Sequence, residues 1–228
     1  MKKIILTNRQ KAIASLVKPT DIIADIGCDH GRLSVYFLQN DIAKKVIATD
    51  ISKKSIEKAN ALAEHCGYAD YLETRQGDGL NVLQKGEVKL AIIAGMGSLK
   101  IIDILKQPYS KDLKLILQPM SQSDLLRKWL FENNFFIIEE LIARERNRFY
   151  EILLVEEGHM PLLFDFELPY FPALKSKINV LDFYKKKIHT IDMALAFSAL
   201  VEDDKSKAQL KLLQKERDKV IEVLKCLK

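Results

Sequence analysis

Four short stretches place carboxylates or glycines at the ends of strand-like runs. They read Asp25-Ile26-Gly27-Cys28-Asp29-His30-Gly31, Thr49-Asp50-Ile51, Gly77-Asp78-Gly79 and Ala94-Gly95-Met96-Gly97. Glycines at such points let the backbone approach a ligand with no Cβ in the way. Ionised carboxylates accept hydrogen bonds from hydroxyls and amines, and they favour a positively charged guest. The chemistry on offer is recognition of a nucleoside-like ligand that carries positive charge.

The first stretch sets the pattern. Ile22-Ile23-Ala24 reads as a buried strand, and Leu33 to Leu38 reads as the apolar face of a helix. Strand, glycine turn, helix is the opening unit of an open α/β fold, and its turn is a ligand site. The order acid-x-Gly-x-Asp-x-Gly is not the dinucleotide order G-x-G-x-x-G. Asp25 ahead of Gly27 disfavours a pyrophosphate and suits S-adenosylmethionine, with its sulfonium and ammonium groups.

Asp50 stands 19 residues past Gly31, at the end of the strand-like run Lys45 to Asp50. An acid there accepts hydrogen bonds from ribose hydroxyls; the alternative is a helix N-cap, since Ser52 and a helix follow. Asp78, between two glycines after the run Tyr71 to Gln76, suits an adenine amino group or a plain turn. Val88 to Ala94 is the most strand-like run and leads into Gly95-Met96-Gly97. Enzymes that methylate exocyclic base amines commonly carry Asp/Asn-Pro-Pro-aromatic there, and this chain does not. Met96 suits the adenine face, or simply the core.

The remaining pattern supplies the scaffold. Thr7 caps a short helix with Ile13, Leu16 and Val17, stopped by Pro19. Arg9 and Lys11 are expected to be exposed on it, as a solvated face or an RNA contact. Leu113 to Gln118 is a fifth strand, and Asp124 to Leu130 a helix with Trp129 in the core. Phe135 to Glu140 and Arg148 to Glu156 form an antiparallel hairpin across the linker Arg144 to Arg148. Five parallel-type units closed by a hairpin match a Rossmann-like class I methyltransferase sheet of seven strands.

After Gly158 the pattern changes. Pro161, Pro169 and Pro172 mark a linker. Leu174, Ile178, Leu181, Ile188, Ile191 and Leu195 then give one long helix. Glu202 to Ser206 turns the chain, and Leu210, Leu213, Arg217, Val220, Leu224 and Leu227 give a second. The expectation is an antiparallel coiled-coil hairpin, with Arg217 snorkelling outward from its seam. Residues 1–158 form the cofactor-binding domain and residues 159–228 the helical one.

Composition sets limits. With 228 residues and 48% apolar content, the chain can bury a real core. The net charge of +5 is spread along the chain and fits an acidic partner such as RNA without establishing one. Cys28, Cys66 and Cys226 form no C-x-x-C, so neither a metal site nor a disulfide framework is expected. No apolar signal region or membrane-length run is present, which points to a cytoplasmic protein.

With these residues placed, the chain resembles the bacterial tRNA (adenine-22 N1)-methyltransferases, the TrmK family. The resemblance rests on Asp25-Ile26-Gly27-Cys28-Asp29-His30, Arg75-Gln76-Gly77-Asp78-Gly79-Leu80, Ile93-Ala94-Gly95-Met96-Gly97, Leu117-Gln118-Pro119 and Tyr150-Glu151-Ile152. It implies methyl transfer from S-adenosylmethionine to N1 of adenine 22 in the D-arm of tRNA; separately, a monomer without a metal is expected. It departs from the family at Cys28, where Ser or Thr is expected, at Gly31-Arg32 and at Ser98.

The implied cofactor contacts are Asp25, Gly27 and Gly31 on the methionine part, Asp50 on the ribose, Asp78 on the adenine amine and Met96 on the adenine face. Cys28, His30, Ile51, Gly77, Gly79, Ala94 and Gly95 complete the set. Asp29 is the candidate catalytic residue, holding the target amino group and offsetting the new charge; cofactor binding is its competing role. His30 is read as a structural hydrogen-bonding group rather than a base.

Candidate RNA contacts are Arg9, Arg146, Arg148 and the cluster Lys185, Lys186 and Lys187, with Lys175 and Lys177 nearby. Other acceptors compete with tRNA: a small molecule or a protein, or no acceptor at all in an RNA-binding protein with a decayed pocket. The glycine order counts against an NAD enzyme.

Overall fold

The computed structural model describes residues 3–158, 178–198 and 204–226. In the first of these segments, apolar residues alternate along each strand and so face two different layers of helices. The strands are β1 (Thr20–Ile26), β2 (Ala43–Asp50), β3 (Leu72–Gln76), β4 (Leu90–Met96), β5 (Lys114–Pro119), β6 (Phe135–Glu145) and β7 (Arg148–Glu157). They form one sheet in the order β3-β2-β1-β4-β5-β7-β6. Strands β1 to β5 are parallel, and β7 runs antiparallel to both its neighbours.

Helices α1 (Asn8–Ser15), α2 (Arg32–Gln39) and α3 (Lys53–Cys66) pack against Ile23, Val46, Ile92 and Ile116 on one face. Helices α4 (Ser98–Leu105) and α5 (Ser123–Glu132) pack against Ala24, Ile47, Ile93 and Leu117 on the other. Period-two alternation thus sorts each strand between two cores. The strand order reverses between β1 and β4. An open α/β sheet has its ligand crevice there, at the carboxyl ends of the strands.

Local signals set several boundaries. Thr7 and Gln10 form a reciprocal capping box at the start of α1. Ser52, not Asp50, caps α3: its hydroxyl accepts the Ser55 N–H at 3.3 Å. The β6–β7 hairpin is longer and tighter than expected. Only Arg146 and Asn147 lie between Glu145 and Arg148, so most of the expected linker is strand.

Beneath α5 lies a buried ion triad. Arg127 Nη2 donates to Glu140 Oε2 at 2.6 Å and to Glu151 Oε2 at 3.0 Å, joining α5, β6 and β7. The sequence pattern did not foretell it.

The chain divides into two compact units, and the described part of the second is α6 (Val180–Ser198) and α7 (Asp204–Cys226). The expected boundary at 158/159 falls at the edge of the described residues, and Leu174 and Leu227 lie outside them. The two helices pack together as an antiparallel pair. Their buried side chains are Val180, Tyr184, Ile191 and Val220. Ile178 and Leu181, expected in the seam, are exposed, because the buried stripe on α6 steps from 180 to 184 to 191. Arg217 Nε donates to Asp192 Oδ1 at 2.6 Å across the pair, so its charge is held rather than released to solvent.

Candidate active site

The four acid- and glycine-bearing stretches converge on one cleft of about 530 Å3 at the carboxyl ends of the parallel strands. Asp25, Gly27, Cys28, Asp29 and His30 line it from β1, Asp50 and Ile51 from β2, Gly77, Asp78 and Gly79 from β3, and Ala94, Gly95 and Met96 from β4.

Asp25 is buried on the α2 face of β1, where its Oδ2 accepts the Ser34 hydroxyl at 2.5 Å. Burial pushes its pKa up to about 6; bonds from Ser34 oppose that shift, and the Asp50 charge adds to it. A desolvated carboxylate of this kind gains most from a cationic partner.

Gly27 has φ of +73° and packs on the β4 loop. A Cβ there would lie 2.1 Å from Met96 Cε, so the thioether lies where it does only because Gly27 has no side chain. The Gly27 and Cys28 N–H groups both donate to the Thr49 carbonyl, at 2.8 and 2.9 Å, which ties the turn to β2. Burial pushes the Cys28 thiol pKa up, and Asp25 and Asp50 push it further. A neutral thiol stands where the family resemblance expects a hydroxyl.

Asp29 has φ of +50°. Its N–H donates to Asp50 Oδ2 at 3.1 Å, while the Ser52 N–H donates to Asp50 Oδ1 at 2.9 Å. Each Asp50 oxygen keeps lone-pair capacity for a further donor such as a ribose hydroxyl. The exposed Asp29 carboxylate lies 2.7 Å from His30 Nδ1. This contact suits a hydrogen-bonding role for His30.

Asp78 accepts from Lys100 Nζ at 2.8 Å and from Gln107 Nε2 at 3.2 Å. Its loop is fixed from behind by Arg75, which pairs with Glu73 and Glu87 and donates to the Val82 carbonyl at 2.9 Å.

Not every predicted residue reaches the cleft. Gly31 lies behind the wall, as the N-cap of α2 with φ of +66°, where a Cβ would come 2.9 Å from Ala59 Cβ. Its glycine is required by helix packing, not by ligand approach.

Arg9, expected to be exposed, is half-buried and lines the cleft. Its Nη1 donates to Gln118 Oε1 at 2.7 Å and approaches Met120 Sδ at 3.5 Å. Arg146 and Arg148 do not line the cleft; they sit exposed at the hairpin tip. Because β7 is antiparallel to β5, that tip projects from the same sheet edge as the cleft. Lys185 and Lys186 are exposed on α6, whereas Lys187 Nζ lies 3.3 Å from Glu216. Lys175 and Lys177 lie outside the described residues.

Lys100 and Met120 also line the cleft and were not anticipated, and Arg32, noted as a departure from the family at the cofactor turn, lines it too. Met120 follows β5, and only the strand order reveals that β5 ends beside β4. Among the described residues, no group of three or more His, Cys, Asp or Glu could hold a metal ion, and no helix is long and apolar enough to cross a membrane.

Five parallel strands, an antiparallel β7 inserted beside β5, and an acidic, glycine-floored cleft at the reversal point define a Rossmann-like methyltransferase. The comparisons agree. A methyltransferase-domain family model matches residues 6–153. The tRNA (adenine(22)-N(1))-methyltransferase of Bacillus subtilis is 29% identical over 98% of this chain and 99% of its own length. A putative tRNA methyltransferase of Mycoplasma genitalium is 31% identical over 72% of this chain and 75% of its own length. The crystal structure of the B. subtilis m1A22 tRNA methyltransferase TrmK superposes with a TM-score of 0.81 at 27% identity, over 97% of this chain and all of that one. The chain belongs to the methyltransferase-domain family and, within it, to the TrmK family.

Proposed function

We propose that this protein transfers a methyl group from S-adenosylmethionine to N1 of adenine 22 in the D-arm of tRNA. The observation that carries the reading is the convergence of Asp25, Asp50 and Asp78 on one cleft, floored by the Gly27–Met96 contact, in a chain similar over nearly its whole length to the B. subtilis enzyme. A Streptococcus pneumoniae putative tRNA (m1A22) methyltransferase solved with S-adenosyl-L-methionine has a TM-score of 0.83 at 27% identity, over 96% of this chain and all of that one.

The residues fit this cofactor. Asp25 would hold the ammonium of its methionine part and Asp50 its ribose hydroxyls. Asp78 would take its adenine amine, exchanging the contacts it makes with Lys100 and Gln107. Met96, pressed against Gly27, would cover the adenine face. The cofactor supplies an electrophilic methyl group on a sulfonium.

Adenine N1 attacks with its own lone pair, so the protein need not remove a proton. Its tasks are to position the base, exclude water and place negative charge near the base that becomes cationic. Asp29, exposed at the cleft with His30 against its carboxylate, suits the last task. The target adenine must leave its stack to reach the cleft, at a cost of a few kcal/mol, on the order of 2–4.

Exposed Arg146, Arg148, Lys185 and Lys186 suit phosphate contacts that confer salt-dependent affinity. A tRNA acceptor supports action in the cytoplasm. The test is to offer labelled S-adenosylmethionine with unmodified tRNA, with a bulk protein extract and with a small-metabolite mixture. Label in tRNA alone supports the reading; label in either of the other two acceptors, with none in tRNA, contradicts it.

A further inference from the structure

Gln118 is fully buried at the end of β5, yet its carboxamide serves two separate elements. Its Oε1 accepts the Gly95 N–H at 3.1 Å and Arg9 Nη1 at 2.7 Å. Gly95 lies near the end of β4, and Arg9 is on α1, 109 residues away from Gln118 in sequence. Met120 Sδ and the Tyr150 ring, 5.4 Å from the guanidinium carbon, complete the seat of Arg9. One buried oxygen thus joins α1 to the end of β4, with the arginine on the cleft wall.

The charge of Arg9 has no acidic partner among the described residues. Lys100 is paired with Asp78, and Arg32 donates to the Ile5 carbonyl, whereas Arg9 meets only neutral acceptors and a ring. An arginine held this way has unused donors in a planar fork, a geometry that matches a phosphate. A role beside N1 of the target is disfavoured, because N1 becomes positive during transfer. A phosphate is different: an adenine drawn out of the stack brings its flanking phosphates to the mouth of the cleft.

Resting on the tRNA reading above, we propose that Gln118 is a positioning residue that aims Arg9 at a backbone phosphate of the extruded nucleotide. It contacts neither base nor cofactor itself.

The test is steady-state methyl transfer to tRNA at several salt concentrations with the wild type, Arg9→Ala, Gln118→Leu and the double variant, alongside cofactor titrations. Arg9→Ala is expected to raise KM for tRNA by about ten-fold or more, the effect of losing one charge-assisted hydrogen bond. It should also flatten the salt dependence by about one phosphate contact. Gln118→Leu should reproduce most of the KM rise, and the double variant should add nothing beyond Arg9→Ala, because the two residues act as one unit. Cofactor affinity and kcat at saturating tRNA should stay within about two-fold in Arg9→Ala, since only a remote substrate contact is removed; Gln118→Leu also leaves the Gly95 N–H without its acceptor, so cofactor affinity should fall in that variant and in the double variant. Arg9→Lys should restore the salt dependence.

Additive rises in KM, an unchanged KM in Gln118→Leu, or a loss of cofactor affinity in Arg9→Ala overturns the positioning role. A wild-type enzyme that methylates no tRNA overturns the functional reading itself, which is seen before any variant is made.

Discussion

Replacing Gly27 with Ala tests the contact on which the cleft floor depends. Two costs arise. The residue sits at φ of +73°, and a left-handed conformation costs an L-residue about 1–2 kcal/mol. The new Cβ would also stand 2.1 Å from Met96 Cε, so the thioether must turn away. Displacing this flexible side chain costs about 0.5–1.5 kcal/mol more. Gly86 provides the control, since it has φ of +75° with nothing within 4 Å of an added Cβ. Gly86→Ala bears the backbone cost alone, and the unfolded-chain entropy that offsets about 0.4–1 kcal/mol is common to both variants. In thermal melts at 2–4 °C per kcal/mol, Gly27→Ala should therefore melt lower than Gly86→Ala by roughly 1–6 °C. The displaced Met96 also intrudes on the cofactor site. Calorimetric titration of S-adenosylmethionine should show affinity reduced by about ten-fold or more in Gly27→Ala, equivalent to about 1.4 kcal/mol, and unchanged in Gly86→Ala. Adding Met96→Ala to Gly27→Ala should recover part of that loss. Equal melting temperatures in the two single variants, with wild-type cofactor affinity in both, would refute the reasoning.

Three further outcomes are expected. The Asp25 carboxyl titrates near 6 when folded against 3.8 unfolded, so its contribution to stability is fully present below about pH 4 and lost as pH rises through about 6. The two-unit gap corresponds to about 3 kcal/mol at most. Melts of cofactor-free protein from pH 4 to 8 should show that loss relative to Asp25→Asn, and parallel curves for the two proteins would count against a buried, strained carboxylate. Arg127→Ala leaves Glu140 and Glu151 without their shared cation, which should cost about 3–5 kcal/mol in chemical denaturation; a loss below about 1 kcal/mol would show that the triad is not closed. Asp29→Asn keeps a residue type that tolerates φ of +50°, so it separates charge from strain better than alanine does. Turnover should fall far more than cofactor affinity, and equal losses would move Asp29 from the target base to the cofactor.

The sequence was most legible where chemistry and period coincide. Asp25 and Asp50 close apolar strands and Asp78 follows β3 by two residues, and an acid at the carboxyl end of a parallel strand lies at the edge of the sheet where the cleft forms. Gly31 was misleading because glycine signals close approach without saying to what; here the neighbour is Ala59 of α3. Arg9 was read as exposed because its seat is built by residues more than a hundred positions away: Gln118, Met120 and Tyr150. The same holds for Arg127, whose partners lie on two strands that pair only after the hairpin closes. Long-range polar contacts leave no periodic trace, whereas burial does. Even burial was misjudged on α6, where Val180 and Tyr184 are buried and Ile178 and Leu181 face solvent. Hydrophobicity alone does not choose between two adjacent stripes of one helix.

The most direct test is to map the methyl group. Unmodified tRNA carrying adenine at position 22 would be incubated with the protein and S-adenosylmethionine, digested, and sequenced by mass spectrometry. A matched transcript with guanine at position 22 would serve as the control. N1-methyladenosine at position 22 in the first tRNA, and no methylation of the second, is the expected result. Methylation elsewhere in the tRNA, or of both transcripts alike, would contradict it.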